Sequence, residues 1–444
     1  MSAFNRRAVL RAGLVAGASL VARRVAAAEA ASSLRLFLAG DLLGPYDAAA
    51  DFAFPPFGSV ADLIRSADVA FANAEGNMFD LAGFRGYRAA ENGGGYPRLS
   101  LRAARALRAT GLNLLSRANN HAMDWGDAGL QASTATLSRL GFAHAGAGSD
   151  LAEARRPALL ETARGRVALV AAASTFPGLF PAGDPTPGTG PRPGINPLHV
   201  EPVTLVNQAE MSALIAIANR IGWQGYDLPG PDAKELRIED KLFRLAPQPG
   251  RSWELSAVDR KALVASIAEA RTKADLVIFS IHAHETLSGG YEDPAPADFL
   301  QPLFRELIEA GADIIIRHGP HTVQGLEIYQ GKPILYGMGS FFLDLPRTLT
   351  VASEGPDSAR QVVDLPAPWF EGAVATARFE GRTLRELAFH PVVFSTAPGA
   401  TRGFPMLAGP ADAPRILTMI AERSRAFGTR LRTDGAKLVW SDRL

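Results

Sequence analysis

The chain has no cysteine among its 444 residues. Disulfides, thiolate metal sites, iron–sulfur clusters and a cysteine nucleophile are excluded together. It also lacks an excess of charge of either sign, with 46 Lys and Arg against 45 Asp and Glu. The small surplus belongs to the N-terminus. Residues 1–30 hold five arginines and one glutamate, which leaves 41 basic and 44 acidic residues beyond them, about three negative charges net. That balance offers no basic footprint for nucleic acid. Nor does any segment reach the run of about 20 apolar residues that a membrane-spanning helix requires.

What is present is an ordinary globular composition, 47% hydrophobic and 20% charged. The length suits two or three average domains, or one large α/β domain with insertions. The first thirty residues stand apart. "NRRAVLR" at 5–11 carries a twin arginine, a weakly apolar Ala/Gly/Val stretch runs to Ala22, and "AEA" at 28–30 offers a small-residue cleavage site. This pattern reads as a twin-arginine export signal over 1–30, which places residues 31–444 in the periplasm or cell envelope. Membrane contact is expected only if the signal stays uncleaved.

Beyond the signal, apolar strand-length runs alternate with helical patterns. The runs are 34–41, 68–75, 111–121, 166–174, 274–284 and 312–321, and helical periodicity fills 100–111, 129–141, 256–274 and 298–311. Such alternation argues for an α/β fold whose strands are covered on both faces. The Pro/Gly-dense stretch that opens 176–252 breaks the pattern and reads as an insertion or lid, with a short helix near 206–222. From about 370 a C-terminal extension is expected, with a hairpin over 373–394 turning at Glu380–Gly381 and then a final helix. There are no repeats and no flexible linker.

The strand ends carry the chemistry. Five of the six runs finish in groups that bind a metal or move a proton: Asp41, Glu75, Asn120 with His121, His282 with His284, and His318 with His321. Loops emerge together at the carboxyl ends of parallel strands, so sites form there. Taken singly, each residue has a plainer reading as an N-cap, a solvated loop acid or a hydrogen-bonded structural histidine. Yet five of the chain's eight histidines lie at three of these ends, and independent turns have no reason to gather imidazoles. A sulfur-free set of carboxylate, amide and imidazole donors suits one or two divalent ions, Mn, Fe or Zn, at a catalytic site. The strand-end groups Asp41, Glu75, Asn120, His282, His284, His318 and His321 are all open as candidate metal ligands at this point. His121 and Asp124 are the catalytic candidates, with His121 placed to protonate a leaving oxygen, although Asp124 also serves its turn. Arg117 and Arg317 each precede a site motif. They either line a substrate pocket for an anion, since guanidinium matches phosphate and carboxylate, or face away and pair with acids elsewhere.

The blocks "AGD" (39–41), "NAEG" (73–76), "ANNHAMDWGDAGL" (118–130), "SIHAHE" (280–285) and "HGPHTVQGLEIYQGKPILYGMGSFFLD" (318–344) occur in an order that resembles the bacterial capsule and poly-γ-glutamate synthesis CapA family, whose domain is similar to calcineurin-like metallophosphoesterases. The resemblance covers nearly all of 34–444. It implies a metallophosphoesterase-like β-sandwich flanked by helices, four layers in the order αββα. It also implies metal ligation by Asp41, Glu75, Asn120, His282 and His321. Gly319 stands where the family usually has a ligand histidine, and Ser340 where Asn is usual. His318 or His284 is then the candidate substitute. Two functions follow. One is a phosphoesterase-type hydrolase acting on an anionic small molecule or envelope polymer. The other is a non-catalytic member of a capsule or polyglutamate synthesis complex that binds an anionic polymer.

Overall fold

The computed structural model describes residues 33–46, 50–89, 95–221, 230–290, 293–352 and 360–442. The export-signal reading of 1–30 lies outside them. Two sheets stack face to face. The larger, of ten strands, runs in the order Arg432–Asp434, Lys437–Ser441, Thr383–Phe394, Glu371–Glu380, Ser33–Leu43, Val69–Asn73, Leu114–Ser116, Ala143–Ala145. Ser340–Leu343 pairs with Ser33–Leu43, and Pro405–Leu407 with Thr383–Phe394. The second has six strands, Leu326–Tyr329, Lys332–Leu335, Ile314–His318, Leu276–His282, Gly165–Ala173 and Ala158–Thr162. The strands that carry the motifs are parallel within each sheet.

The pleat explains the layers, because successive strand residues point to opposite faces. Leu36, Leu38, Val69, Phe71 and Leu114 from one sheet meet Val167, Leu169, Leu276, Ile278, Ile314 and Ile316 from the other in a shared core. The alternate residues Phe37, Ala39, Ala70, Ala72 and Leu115 pack outward against the helices Pro55–Arg65 and Leu101–Ala109. On the far side Val277, Phe279, Ile281 and Ile315 meet Leu263 and Ile267 of Ala257–Lys273, and Leu303, Phe304 and Leu307 of Leu300–Ala310. The architecture is α/β in four layers, helix–sheet–sheet–helix, as expected. Among the described residues no helix is long and apolar enough to cross a membrane.

Two segments differ from the sequence reading. The 176–252 stretch holds its own four-stranded sheet, formed by Glu235–Ile238, Lys241–Leu245, Val200–Val206 and Gly250–Leu255. This sheet packs with the helix Gln208–Ile221 around Val206, Met211, Ile215 and Leu236. Its strands are short, so their local pattern was too weak to read. The strands after 370 are no appendage, since Glu371–Glu380 pairs antiparallel with Ser33–Leu43 in the middle of the large sheet. The hairpin itself was legible, but its partner is set by long-range pairing that no local signal encodes.

Candidate metal centre

The strand Ser33–Leu43 shifts register twice before its end, against Val69–Asn73 and against Ser340–Leu343. These irregularities re-aim Asp41. Gly40 permits the approach, because a Cβ there would lie 1.8 Å from the Gly339 carbonyl oxygen. Asp41 N donates to the same carbonyl at 3.1 Å. Asn73, beside Asp41 in the ladder, donates from Nδ2 to Asp41 Oδ1 at 2.8 Å. Gly319 N donates to Asp41 Oδ2 at 2.9 Å.

On the second sheet His282 and His318 are register partners on adjacent parallel strands. Each continues the inward row of its strand, after Ile278 and Ser280 in one and Ile314 and Ile316 in the other. Their Nδ1 atoms are 3.0 Å apart. His318 Nδ1 lies 3.3 Å and His282 Nδ1 3.6 Å from Asp41 Oδ1. His321 is reached through a positive φ of 56°, a strained conformation for a non-glycine residue. It places Nδ1 3.2 Å from Asp41 Oδ2 and Nε2 4.0 Å from Glu75 Oε1. Trp369 covers the ring edge-on at 4.6 Å. His284 Nε2 is 2.8 Å from His282 Nε2, and His282 Nε2 is 3.8 Å from Glu75 Oε1.

The opening turn of the "ANNHAMD" block faces this cluster from the first sheet. Asn119 Nδ2 donates to Asn73 Oδ1 and to the Ala74 carbonyl, at 3.2 and 2.9 Å. Its Oδ1 accepts from His121 N at 3.1 Å. His121 Nδ1 sits 2.8 Å from Asp124 Oδ2, and Nε2 is 3.9 Å from Glu75 Oε1. Asn120 lies in the same turn with its side-chain oxygen buried.

The electrostatics suit a cation. Burial opposes ionisation of Asp41, but hydrogen bonds with His282, His318 and His321 outweigh it and hold the carboxyl well below the usual carboxylate range. Burial, and then the Asp41 charge, pushes Glu75 well above its ordinary value. Burial drags His282 down to about 4 and lowers His284 well below the histidine norm, with His282 and His321 adding to the effect. These imidazoles are therefore neutral near pH 7, the form that ligates a metal. Three donor groups each bring their atoms within 4.8 Å: Asp41, His282 and His318; Glu75, His282 and His284; Asp41, Glu75 and His321. Among the described residues none donates a hydrogen bond to either buried oxygen of Glu75. A buried carboxylate with two unmet lone-pair faces fits a divalent ion, and so does the mixed O/N donor set.

Five of the expected metal ligands, Asp41, Glu75, His282, His318 and His321, thus converge, with His121 and Asp124 beside them. The two arginines do not join them. Arg117 follows the inward Ser116 and Arg317 precedes the inward His318, so strand parity turns both to outer faces. Arg117 is buried and donates to Thr134 Oγ1 of Gly126–Leu140 at 2.8 Å; burial pulls it down to about 10. Arg317, also buried, donates to the carbonyls of Ala283, Glu285 and Tyr336 and to Gln324 Oε1. Among the described residues neither makes an ion pair with an acid, and Arg117 Nη2 has no hydrogen-bond partner. Asn73, Asn119 and Ser280 are neighbours of the cluster to which sequence reasoning gave no role. A signal existed for two of them: Asn73 and Ser280 stand two residues before Glu75 and His282, on the inward row of their strands.

Comparison with known proteins identifies the chain's relatives. Residues 14–345 match the family described as "Bacterial capsule synthesis protein PGA_cap". "Uncharacterized protein y4sH" of Sinorhizobium fredii is 35% identical over 406 residues, 85% of this chain and 86% of that protein. "PGA biosynthesis protein CapA" of Bacillus subtilis is 36% identical over 92 residues, 21% of this chain and 23% of its own. "Probable polyglutamine synthesis accessory protein" of Mycobacterium tuberculosis is 26% identical over 234 residues, 53% of this chain and 46% of its own.

Proposed function

Because the chain belongs to the bacterial capsule synthesis protein family, we propose that it is a metal-dependent hydrolase of phosphoesterase type, exported to the periplasm or cell envelope. Its substrate would be an anionic small molecule or envelope polymer of capsule or polyglutamate metabolism. The observation that carries this reading is the convergence of Asp41, Glu75, His282, His284, His318 and His321 around shared donor groups, with His121 on their rim. Mn, Fe or Zn held there would polarise a phosphoryl oxygen and acidify a water. The chain's own residues do the rest. Asp124 holds Nδ1 of His121 at 2.8 Å, which fixes the ring and balances its charge when Nε2 carries a proton. That Nε2 faces Glu75 and is placed to deliver its proton to a leaving oxygen. Asn119 locks this turn to Asn73, and thereby to Asp41. Export rests on the twin-arginine pattern of residues 1–30.

The test is turnover of phosphate mono- and diesters by the metal-loaded chain. His121→Ala should lower kcat by roughly 10²–10⁴-fold, the usual worth of a positioned proton donor, while bound metal is retained. Metal-loaded protein that turns over no ester, or a His121→Ala variant as active as the wild type, overturns the reading. The second reading, a non-catalytic assembly or polymer-binding component, draws support from relatives whose names specify biosynthesis and an accessory role. It predicts affinity for a poly-γ-glutamate oligomer without any ester turnover.

A further inference from the structure

The stretch from Glu75 to Leu99 leaves the cluster and returns to it. Asn77–Met78 pairs in parallel with Arg98–Leu99, and Asn77 N donates to the Pro97 carbonyl at 3.0 Å. Asn77 Nδ2 donates to the His121 carbonyl, also at 3.0 Å. The outer part of the loop is tied to the same turn. Ala89 N donates to the Asp124 carbonyl at 2.7 Å, and a Cβ on Gly95 would stand 3.7 Å from His121 Cε1. Phe79, Phe84 and Tyr96 pack on Trp125, the residue after Asp124, with ring centroids 5.7, 5.8 and 5.7 Å away. Tyr96 takes this place at φ of 46°, in the left-handed region that non-glycine residues seldom adopt. The described residues of the loop are thus fixed relative to the proton donor.

Arg88 sits on this arrangement. Its guanidinium carbon lies 5.0 Å from the Tyr96 ring centre and 5.6 Å from that of Trp125. The residue is exposed, and among the described residues no acid pairs with it. Cation–π attraction to two rings holds the charge in place and leaves its N–H fork unused. A fixed guanidinium with a free fork suits a carboxylate or a phosphate, whose oxygens match its geometry. Its position says which half of a substrate it would meet. The loop is anchored to the turn that carries His121, and a proton donor marks the leaving-group side of the reaction. His121 keeps 17% of its side chain open to solvent, so the centre is reachable from that side.

We propose that Arg88 is a specificity residue that binds a carboxylate or phosphate on the leaving-group half of the substrate. This rests on the hydrolase reading above and narrows its substrate class: the ester cleaved carries a second negative charge beyond the scissile oxygen, and esters of neutral alcohols are the poorer substrates. A plainer role, in which Arg88 only covers the Tyr96 and Trp125 rings, would affect stability and give no preference between ligands.

The test measures binding and does not depend on turnover. The full chain is loaded with Mn2+ or Zn2+, its metal content is checked by mass spectrometry, and it is titrated calorimetrically with phenylphosphonate and with 3- and 4-phosphonobenzoate. Their P–C bonds do not hydrolyse, and the ring stands in for the leaving group. Wild type should bind one or both phosphonobenzoates about tenfold more tightly than phenylphosphonate, a difference of about 1.4 kcal/mol. Arg88→Gln should abolish that preference with bound metal retained. Arg88→Lys, which keeps the charge but not the planar fork, should fall between. Arg432→Gln, in the strand at the outer edge of the large sheet, controls for overall charge and should keep the full preference. Thermal melts check that each variant folds. Equal affinity of wild type for all these ligands, a folded Arg88→Gln variant that keeps the preference, or an Arg432→Gln variant that loses it to the same degree overturns the assignment. A chain that holds no metal, or binds none of the ligands, removes the hydrolase reading and the assignment together, a result distinct from binding without preference.

Discussion

Replacing Glu75 by glutamine should change stability in opposite directions with and without metal. Glu75 is 1% exposed, and no described residue donates a hydrogen bond to either of its oxygens. Burial and the Asp41 charge raise its carboxyl well above the ordinary value. The sign follows from linkage. A folded-state value above the unfolded one contributes stability at pH below the unfolded value, and this is lost as pH rises through the folded value. At pH 7 an ionised Glu75 therefore opposes folding of the metal-free chain. An unpaired buried polar group costs about 1–3 kcal/mol, and more when charged. Glu75→Gln keeps the shape and removes the charge, so the metal-free variant should be more stable than wild type by about 1–3 kcal/mol. With metal the order reverses. A ligand at one hundred times its dissociation constant stabilises the native state by about 2.7 kcal/mol, and the variant would forfeit most of this by losing a carboxylate shared by two of the donor groups. Urea unfolding at pH 7, in a chelator and in saturating Mn2+ or Zn2+, measures both arms. Because other buried groups titrate in both proteins alike, the sign shows in the difference: metal-free wild type should gain stability relative to Glu75→Gln on acidification toward pH 5. A chelated Glu75→Gln variant less stable than wild type, or one stabilised fully by metal, would refute the reasoning.

Three further outcomes are expected. Gly319→Ala sets a Cβ into the His284 ring at φ of +117°; it should cost about 1–3 kcal/mol in backbone strain and, in thermal melts, lose most of the stabilisation that metal gives wild type. Arg317→Lys removes a fork that reaches three carbonyls and Gln324. Loss of roughly 2–4 kcal/mol is expected from two or three buried bonds, with ester KM unchanged if the residue has no contact with substrate. His144 and His390 are each held down to about 4, burial being the main cause. Their folded values lie below the unfolded one, so the stability they contribute above pH 6.5 is lost as pH falls toward 4, up to about 3 kcal/mol each. His144→Gln and His390→Gln should flatten chelated unfolding midpoints across that interval, and an unchanged slope would contradict the burial.

Much of the fold was legible because its signals are local. Apolar runs such as "RVALVAAAS" and "ADLVIFSIHAH" span strand lengths, and helices such as Ala257–Lys273 begin at capping residues, here Ser256 accepting from Asp259 N. The metal-type residues were legible too, because parallel strands end at one edge of a sheet and chemistry at their ends must lie together. What stayed hidden depends on contacts hundreds of residues apart. The central place of Glu371–Glu380 is a pairing choice with Ser33–Leu43, and nothing within either strand names its partner.

The sequence by itself determined the α/β class, the positions of the long apolar strands of the two stacked sheets, and which carboxylates and imidazoles stand at their ends, since each follows from periodicity of two or 3.6 and from residue chemistry. Only the tertiary structure decided which way those side chains face. One step along the pleat puts His318 inside and Arg317 outside, and two register shifts turn Asp41 inward. The backbone angle at Gly319 makes room for His284. A side chain's direction depends on register and backbone angles, and those are settled by packing between sheets, not by the identity of neighbouring residues.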